Sequence, residues 1–205
     1  MIEEIIFSKT LKIYKAKYNW EHSQSDIVER VQQNWSIVGL TDNNTSVFLI
    51  ESRELQSLKQ YTLKIAAELS NIVLDNLKSW AHQSWIYQSD SRSKPENGNK
   101  TREIFHDHPI CLTIPKTYKD IQTSWTCCFY LKVPKNLNGE DGKLVFQDID
   151  GTQYSILPEE GDLIFFGKDV KHRPNLIPSA LGQRISICSN IGFDIEEFKI
   201  KKSVI

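Results

Sequence analysis

The apolar residues of this chain change their spacing near residue 80, and that change limits the folds open to it. Upstream, Leu55, Leu58, Tyr61, Ile65, Leu69, Ile72, Val73, Leu77 and Trp80 recur at three and four residues, the spacing of one helical face. Such a stripe must be buried, most simply against one face of a sheet. Downstream the period is two. Strands are expected over 85–87, 126–133, 143–149, 153–157, 163–166 and 184–193, separated by Gly139 and Gly142, Asp150-Gly151, Glu160-Gly161-Asp162 and the turn-rich stretch 174–182. Many short strands at this spacing build a sandwich or a barrel. The expected total is an α+β domain with a long helix packed on one sheet of a β-barrel.

Residues 1–80 read as a mixed, partly helical support for a barrel core over 85–193, the whole chain 1–205 forming one domain. Ile5 to Tyr18 has strand-like stretches, and Asp26 and Glu29 have capping-box spacing at the start of a short helix carrying Ile27, Val28, Val31 and Trp35. A net charge of −1 creates no field toward nucleic acid. No stretch has the apolar length to span a bilayer, and the acidic start, Glu3-Glu4, argues against a signal peptide. Cys111, Cys127, Cys128 and Cys188 lack metal-ligand spacing and read as free thiols in a reducing cytoplasm. Adjacent Cys127 and Cys128 should point to opposite faces of their strand. Nothing in the composition sets an oligomeric state.

The chemistry is concentrated at three histidines. His106 and His108 stand two apart in Phe105-His106-Asp107-His108-Pro109. On an extended segment they project from the same face, about 7 Å apart at Cα, and Asp107 points away. His172, from a distant strand, could close a triangle with them. Three ligands on one face leave the opposite positions for substrate and dioxygen, the logic of non-haem Fe(II) oxygenases. A His-x-His pair in a loop is also common without any metal. Further along, Arg184, Ser186, Cys188 and Asn190 share one face of a strand whose other face carries Ile185, Ile187 and Ile191. Such a polar face goes to water on an open sheet, or lines a cavity inside a barrel. In a cavity, an arginine fork would hold a carboxylate by two parallel hydrogen bonds, with a serine hydroxyl adding a third.

Other residues have two readings each. Tyr87 and Tyr130 could reach a bound carboxylate or serve as core aromatics; of the two, Tyr87 is the candidate carried forward. Lys168, Lys171 and Arg173 could meet an anionic substrate or form a solvated basic loop. Asp162 is most simply a turn residue. The polar stretch 88–102, with Pro95 and Gly98, is a loop that could act as a lid.

In order and spacing, these pieces resemble the putative 2-oxoglutarate-Fe(II) oxygenase family of marine bacteria and their phages. The match is carried by Trp85-Ile86-Tyr87, His106-Asp107-His108-Pro109, Tyr130-Leu131-Lys132-Val133-Pro134 and Gly142-Lys143-Leu144-Val145-Phe146. It continues through Pro158-Glu159-Glu160-Gly161-Asp162-Leu163-Ile164-Phe165-Phe166, His172, and Arg184-Ile185-Ser186 with Asn190, covering 85–193. A looser likeness runs upstream through Trp35 to Phe48 and the long helix. The resemblance implies a double-stranded β-helix, a jelly-roll barrel of two sheets around a metal. It implies Fe(II) on His106, His108 and His172, and 2-oxoglutarate as cosubstrate with its far carboxylate on Arg184, helped by Ser186 and Tyr87. The implied reaction is hydroxylation by dioxygen of a small-molecule or peptidyl substrate.

Two departures stand out. The widespread triad is His-x-Asp or His-x-Glu with a distal His, whereas position 108 is His. The iron would then have three neutral ligands, or Asp107 would bind through an unusual loop. Three neutral ligands leave the full charge on the metal and favour a dianionic cosubstrate. Residues 110–124 lengthen the segment after His108, where they would shape or cover a pocket. Two other functions fit the same residues: a cupin-like three-histidine metalloenzyme that needs no keto acid, and a non-catalytic barrel serving as an interaction module.

Overall fold

The computed structural model describes residues 1–19, 27, 29, 47–49, 52–72, 80–89, 105–108, 122–177 and 181–193. An antiparallel hairpin of β1 (Ile2–Ile6) and β2 (Lys12–Lys17) opens the chain, and a helix, α1 (Arg53–Leu69), follows. Then come β3 (Trp80–Ser89), β4 (Gln122–Lys132), β5 (Leu144–Gln147), β6 (Gln153–Ile156), β7 (Asp162–Gly167), β8 (Lys171–Pro174) and β9 (Arg184–Phe193). Six strands make one sheet in the order β1-β2-β7-β4-β9-β3, and three make a second in the order β6-β5-β8.

α1 starts where Ser52 accepts a hydrogen bond from Leu55 N, an N-cap that satisfies one of the first free amides. It ends at Leu69, with Asn71 in the left-handed region at φ 55°. The apolar stripe predicted to run on to Trp80 is therefore cut short: Trp80 opens β3, and Val73 and Leu77 lie outside the described residues. Leu55, Leu58, Ile65 and Ala66 bury themselves against Phe129, Leu131, Phe165, Ile185, Ile187 and Ile191 on one face of the large sheet. Packing of this stripe holds the helix in place far more than helix propensity does. No described helix is long and apolar enough to cross a membrane.

The opposite face of the large sheet looks at the small one. Ile13, Cys128, Tyr130, Ile164, Phe166 and Cys188 meet Leu144 and Phe146 there, with Trp85, Tyr87 and Tyr154 at the margin. Asp148, after β5, accepts hydrogen bonds from Ser8 and from Thr10 (2.7 Å), which ties the first hairpin to the small sheet. Those two hydroxyls, Ser8 first, hold its carboxyl below the ordinary carboxylate range. Cys127 and Cys128 fall on opposite faces, as alternation requires.

Three expectations need correction. The strands do not close into a barrel: among the described residues, no ladder joins the two sheets. β5, β6 and β8 have four residues each, roughly 13 Å of strand. That length covers part of the large sheet without bonding to its edges. Asp162 is not a turn residue but the first residue of β7, with its side chain wholly buried. It takes Lys15 at 2.9 Å, Lys17 at 3.1 Å and the Glu159 amide at 2.7 Å, pinning β2 to β7. The polar face of β9 is not in water, because all ten residues of the strand are buried. Of the helix expected from Asp26, Ile27 and Glu29 are helical and the rest lies outside the described residues. The loops expected over 88–102 and 110–124 begin and end in strands: Gln88 and Ser89 belong to β3, and Gln122 to Ser124 to β4. Their middles, 90–102 and 110–121, lie outside the described residues.

Candidate metal centre

Backbone pairing brings the histidines together. β8 lies on β5 with His172 opposite Phe146. His106 then bridges His172 from the other side, His106 N donating to His172 O at 3.1 Å and His172 N to His106 O at 2.9 Å. His108 N donates to Lys168 O at 3.0 Å, so both flanks of the segment are anchored to the β7–β8 turn region. The three rings face one another, with centroids 4.4 Å (His106–His172), 5.1 Å (His106–His108) and 5.1 Å (His108–His172) apart. One ring nitrogen from each lies within 4.8 Å of the others. Adjacent ligand nitrogens on one divalent ion lie about 3 Å apart at metal–nitrogen bonds near 2.1 Å. The rings need to close by only 1–2 Å or so, which small side-chain rotations supply. Asp107 is exposed and outside the cluster, as its place between two same-face histidines dictates.

The surroundings set the protonation of two of the rings. His172 is buried against Phe166, 4.4 Å between ring centroids, and its Nδ1 lies 3.1 Å from Val170 O. A carbonyl only accepts, so Nδ1 carries the proton and Nε2 presents its lone pair to the cluster. Trp85 lies over His108 at 5.4 Å. Burial first, and the other two histidines next, push His172 well below the usual histidine range. Burial and then His106 hold His108 down to about 4, against a small opposing pull from Asp107. Both are neutral at pH 7, the form a metal requires.

The pH consequence has a definite sign. Both pKa values are depressed relative to the unfolded chain, so the unfolded state binds protons that the folded state refuses. Their contribution to stability is complete above about pH 6.5 and is lost as pH falls toward 4. The metal-free protein is expected to lose up to about 1.4 kcal/mol per pH unit for each of these histidines over that window. Chemical denaturation at pH 7, 6 and 5, on wild type and His108→Gln, measures it. An unchanged slope in the variant would contradict the assignment.

A second feature lies on the same inter-sheet face. Arg184 is 1% exposed, its guanidinium stacked between the rings of Tyr87 and Tyr130 at 5.8 Å from each. One terminal nitrogen donates to Gly142 O, while Nε is buried with no hydrogen-bond partner among the described residues. No carboxylate among the described residues forms an ion pair with it. A buried cation without a counter-ion is costly. Tyr87 and Tyr130 both stand in register with Ser186, and Trp85 with Cys188, one pair further along β9. Tyr87, one of the two rings beside the guanidinium, is therefore two residues, about 7 Å of strand, from Trp85, which covers His108.

Of the residues picked out in the sequence, His106, His108 and His172 converge, and Arg184, Ser186 and Tyr87 share the neighbouring part of the face. Ser186 Oγ donates to Tyr87 O at 3.4 Å. Tyr130 belongs with Tyr87, since both rings flank Arg184, and burial holds its phenol well above its ordinary pKa and so protonated. Asn190 accepts from Thr126 Oγ1 at 3.2 Å, a bond inside the sheet. Arg173 is engaged with Asn175 at 2.7 Å and with the Phe105 ring at 5.1 Å. The part played by Gly142 was not foreseen. It sits at φ +67°, a Cβ there would meet Leu137 Cδ1 at 2.8 Å, and its carbonyl holds Arg184. Its positive-φ requirement was readable only as a turn glycine. Gly142→Ala is expected to cost about 1–2 kcal/mol from the left-handed backbone alone. Thermal denaturation tests this, and an unchanged midpoint would contradict it.

No family model matches the sequence, and no curated protein matches it. Solved structures do. Residues covering 88% of the chain superpose on 89% of a viral collagen prolyl hydroxylase from Paramecium Bursaria Chlorella virus-1, at TM-score 0.53 and 15% identity. The non-heme alpha-ketoglutarate-dependent carbocyclase SnoK from nogalamycin biosynthesis matches 88% of the chain over 79% of its own, at TM-score 0.56 and 12% identity. A Trichoplax adhaerens prolyl hydroxylase in complex with a hypoxia-inducible-factor peptide matches 92% of the chain over 86% of its own, at TM-score 0.51 and 17% identity. At such identities the likeness is one of fold. The chain has the fold of the 2-oxoglutarate/Fe(II) oxygenases, and it carries a three-histidine cluster able to hold a metal.

Proposed function

We propose that this chain is an Fe(II)- and 2-oxoglutarate-dependent dioxygenase that hydroxylates a small-molecule or peptidyl substrate. The observation that carries the reading is one face holding two complementary features: three imidazoles around a common point, and a buried guanidinium with a free Nε. The donor set fits the proposed groups. Three neutral nitrogens suit a divalent first-row ion, and a fixed cation on the same face suits the far carboxylate of 2-oxoglutarate.

His106, His108 and His172 would hold the ion, with the His172 tautomer set by Val170 O. Arg184, flanked by the Tyr87 and Tyr130 rings and bonded to Gly142 O, would receive the carboxylate. Ser186 and Tyr87 contribute hydroxyls beside it. Trp85 and Phe166 flank the imidazoles of His108 and His172. When bound, Fe(II) with 2-oxoglutarate supplies dioxygen activation, coupling oxidation of the keto acid to succinate and carbon dioxide with hydroxylation of a substrate C–H bond. With no carboxylate in the cluster, the site carries charge from the metal and from Arg184 that a dianion offsets.

The test is spectroscopic. Anaerobic addition of Fe(II) and 2-oxoglutarate together is expected to produce a visible charge-transfer band that neither produces alone. Metal-loaded protein without that band would overturn the reading. A second reading, a three-histidine metalloenzyme that uses no keto acid, is favoured by the all-imidazole cluster. It predicts metal-dependent activity indifferent to 2-oxoglutarate.

A further inference from the structure

One pair of reactive groups on the inter-sheet face has no part in the proposed reaction. Cys128 and Cys188 are direct partners in the β4–β9 ladder, with their sulfurs 3.8 Å apart and both residues buried. Directly opposed residues of an antiparallel pair have Cα atoms about 4.5–5.5 Å apart, inside the roughly 4.4–6.8 Å that a disulfide spans. The register of β4 is shifted at Thr123/Trp125 and at Tyr130/Lys132, but not at Cys128. The two sulfurs can therefore reach bonding distance by side-chain rotation with the ladder intact. Cys127 points into the helix-side cluster on the other face and is not their partner.

We propose that Cys128 and Cys188 form a redox-active dithiol that peroxide closes to a disulfide and a thiol reductant reopens. Either sulfur of the pair can attack, since each can donate to the other. The hydrogen bond from Cys128 first, and the charge of Arg184, lower the Cys188 thiol while burial opposes them, and the step is balanced with Cys188 attacking. The Cys188 thiolate attacks one peroxide oxygen. A sulfur–oxygen bond forms, the oxygen–oxygen bond breaks, and the departing oxygen leaves as water once protonated, giving a sulfenic acid on Cys188. Cys128 sulfur then attacks Cys188 sulfur, and the sulfur–oxygen bond breaks. Its oxygen leaves as a second water with the Cys128 proton. In total two thiols and one hydrogen peroxide give one disulfide and two waters, the sulfurs oxidised and the peroxide reduced.

The inference needs no metal in the protein, so its test stands apart from that of the proposed reaction. Native, metal-free full-length chain is treated with hydrogen peroxide and analysed by intact mass and by peptide sequencing. The expected result is a loss of about 2 Da, a crosslink that fragmentation assigns to Cys128 and Cys188, a raised thermal midpoint, and full reversal by dithiothreitol. Cys127→Ser should retain the bridge, and Cys188→Ser should lose it. Wild-type sequencing alone decides the outcome if a variant fails to fold. The proposal is overturned if all thiols survive excess peroxide. It is equally overturned if oxygen adds to single cysteines without a crosslink, or if the bridge uses Cys127 or Cys111.

Discussion

Replacing His172 with alanine is expected to weaken divalent-metal binding by more than about 100-fold. Even the outer partners of metal ligands are worth roughly 10- to 100-fold, so a direct ligand should exceed that. His172 is the buried member of the cluster, with its tautomer set by Val170 O and its ring fixed against Phe166. Without it, only two imidazoles from one short segment remain, and His106 is exposed. The bridge to His106 uses main-chain atoms, so alanine preserves it. Asp107→Ala is the matched control. Asp107 is exposed and outside the cluster, so its loss should leave affinity close to wild type. Anaerobic equilibrium dialysis of Fe(II), with circular dichroism as a check on folding, measures both. A further reading is thermal: metal at 100 times its Kd should stabilise wild type by about 2.7 kcal/mol and leave His172→Ala unmoved. Retained metal in His172→Ala, or loss in Asp107→Ala, would refute the ligand set.

The second large effect is at Arg184, where binding and stability should move in different directions. Arg184→Met removes the guanidinium and keeps most of the side-chain volume. Removing one partner of a buried charge pair costs about 2–5 kcal/mol of binding, or roughly 30- to several-thousand-fold in affinity for 2-oxoglutarate. Stability of the free protein follows another sum. The variant loses one charge-assisted hydrogen bond to Gly142 O, about 1.5–3 kcal/mol, and cation–π contacts to Tyr87 and Tyr130, about 0.5–1 kcal/mol each. It also escapes the desolvation of a wholly buried cation, several kcal/mol even after relaxation. The unliganded variant should therefore be as stable as wild type or more so. Calorimetric titration with 2-oxoglutarate, at saturating Mn(II) in place of iron, reads the first quantity, and urea denaturation reads the second. Metal affinity should be unchanged, because Arg184 touches none of the histidines. A variant that unfolds readily and still binds 2-oxoglutarate would make Arg184 a structural residue.

Period and spacing carried much of this architecture. Apolar residues at three and four marked α1, because one buried stripe is the condition for a helix on a sheet. Alternation in β9 separated Arg184, Ser186, Cys188 and Asn190 from Ile185, Ile187 and Ile191, and the structure keeps that division. The end of α1 was not legible, since Ile72, Val73, Leu77 and Trp80 keep the helical period after Ser70 has stopped the helix. β8 was legible only as the distant strand expected to carry His172; its bounds were not, because Lys171-His172-Arg173-Pro174 has no apolar alternation and its extent follows from pairing with β5.

Residue type and order alone determined that His106, His108, His172 and Arg184 were the groups to watch, because few side chains can bind a metal or fork onto a carboxylate. Whether they meet was decided by tertiary structure. His106 and His172 are 66 residues apart in the chain, and the main-chain bridge between their segments brings the rings within reach. Likewise the polar face of β9 could have gone to water or inward. It became interior because the small sheet covers that side, and burial there is what takes the Arg184 cation out of water.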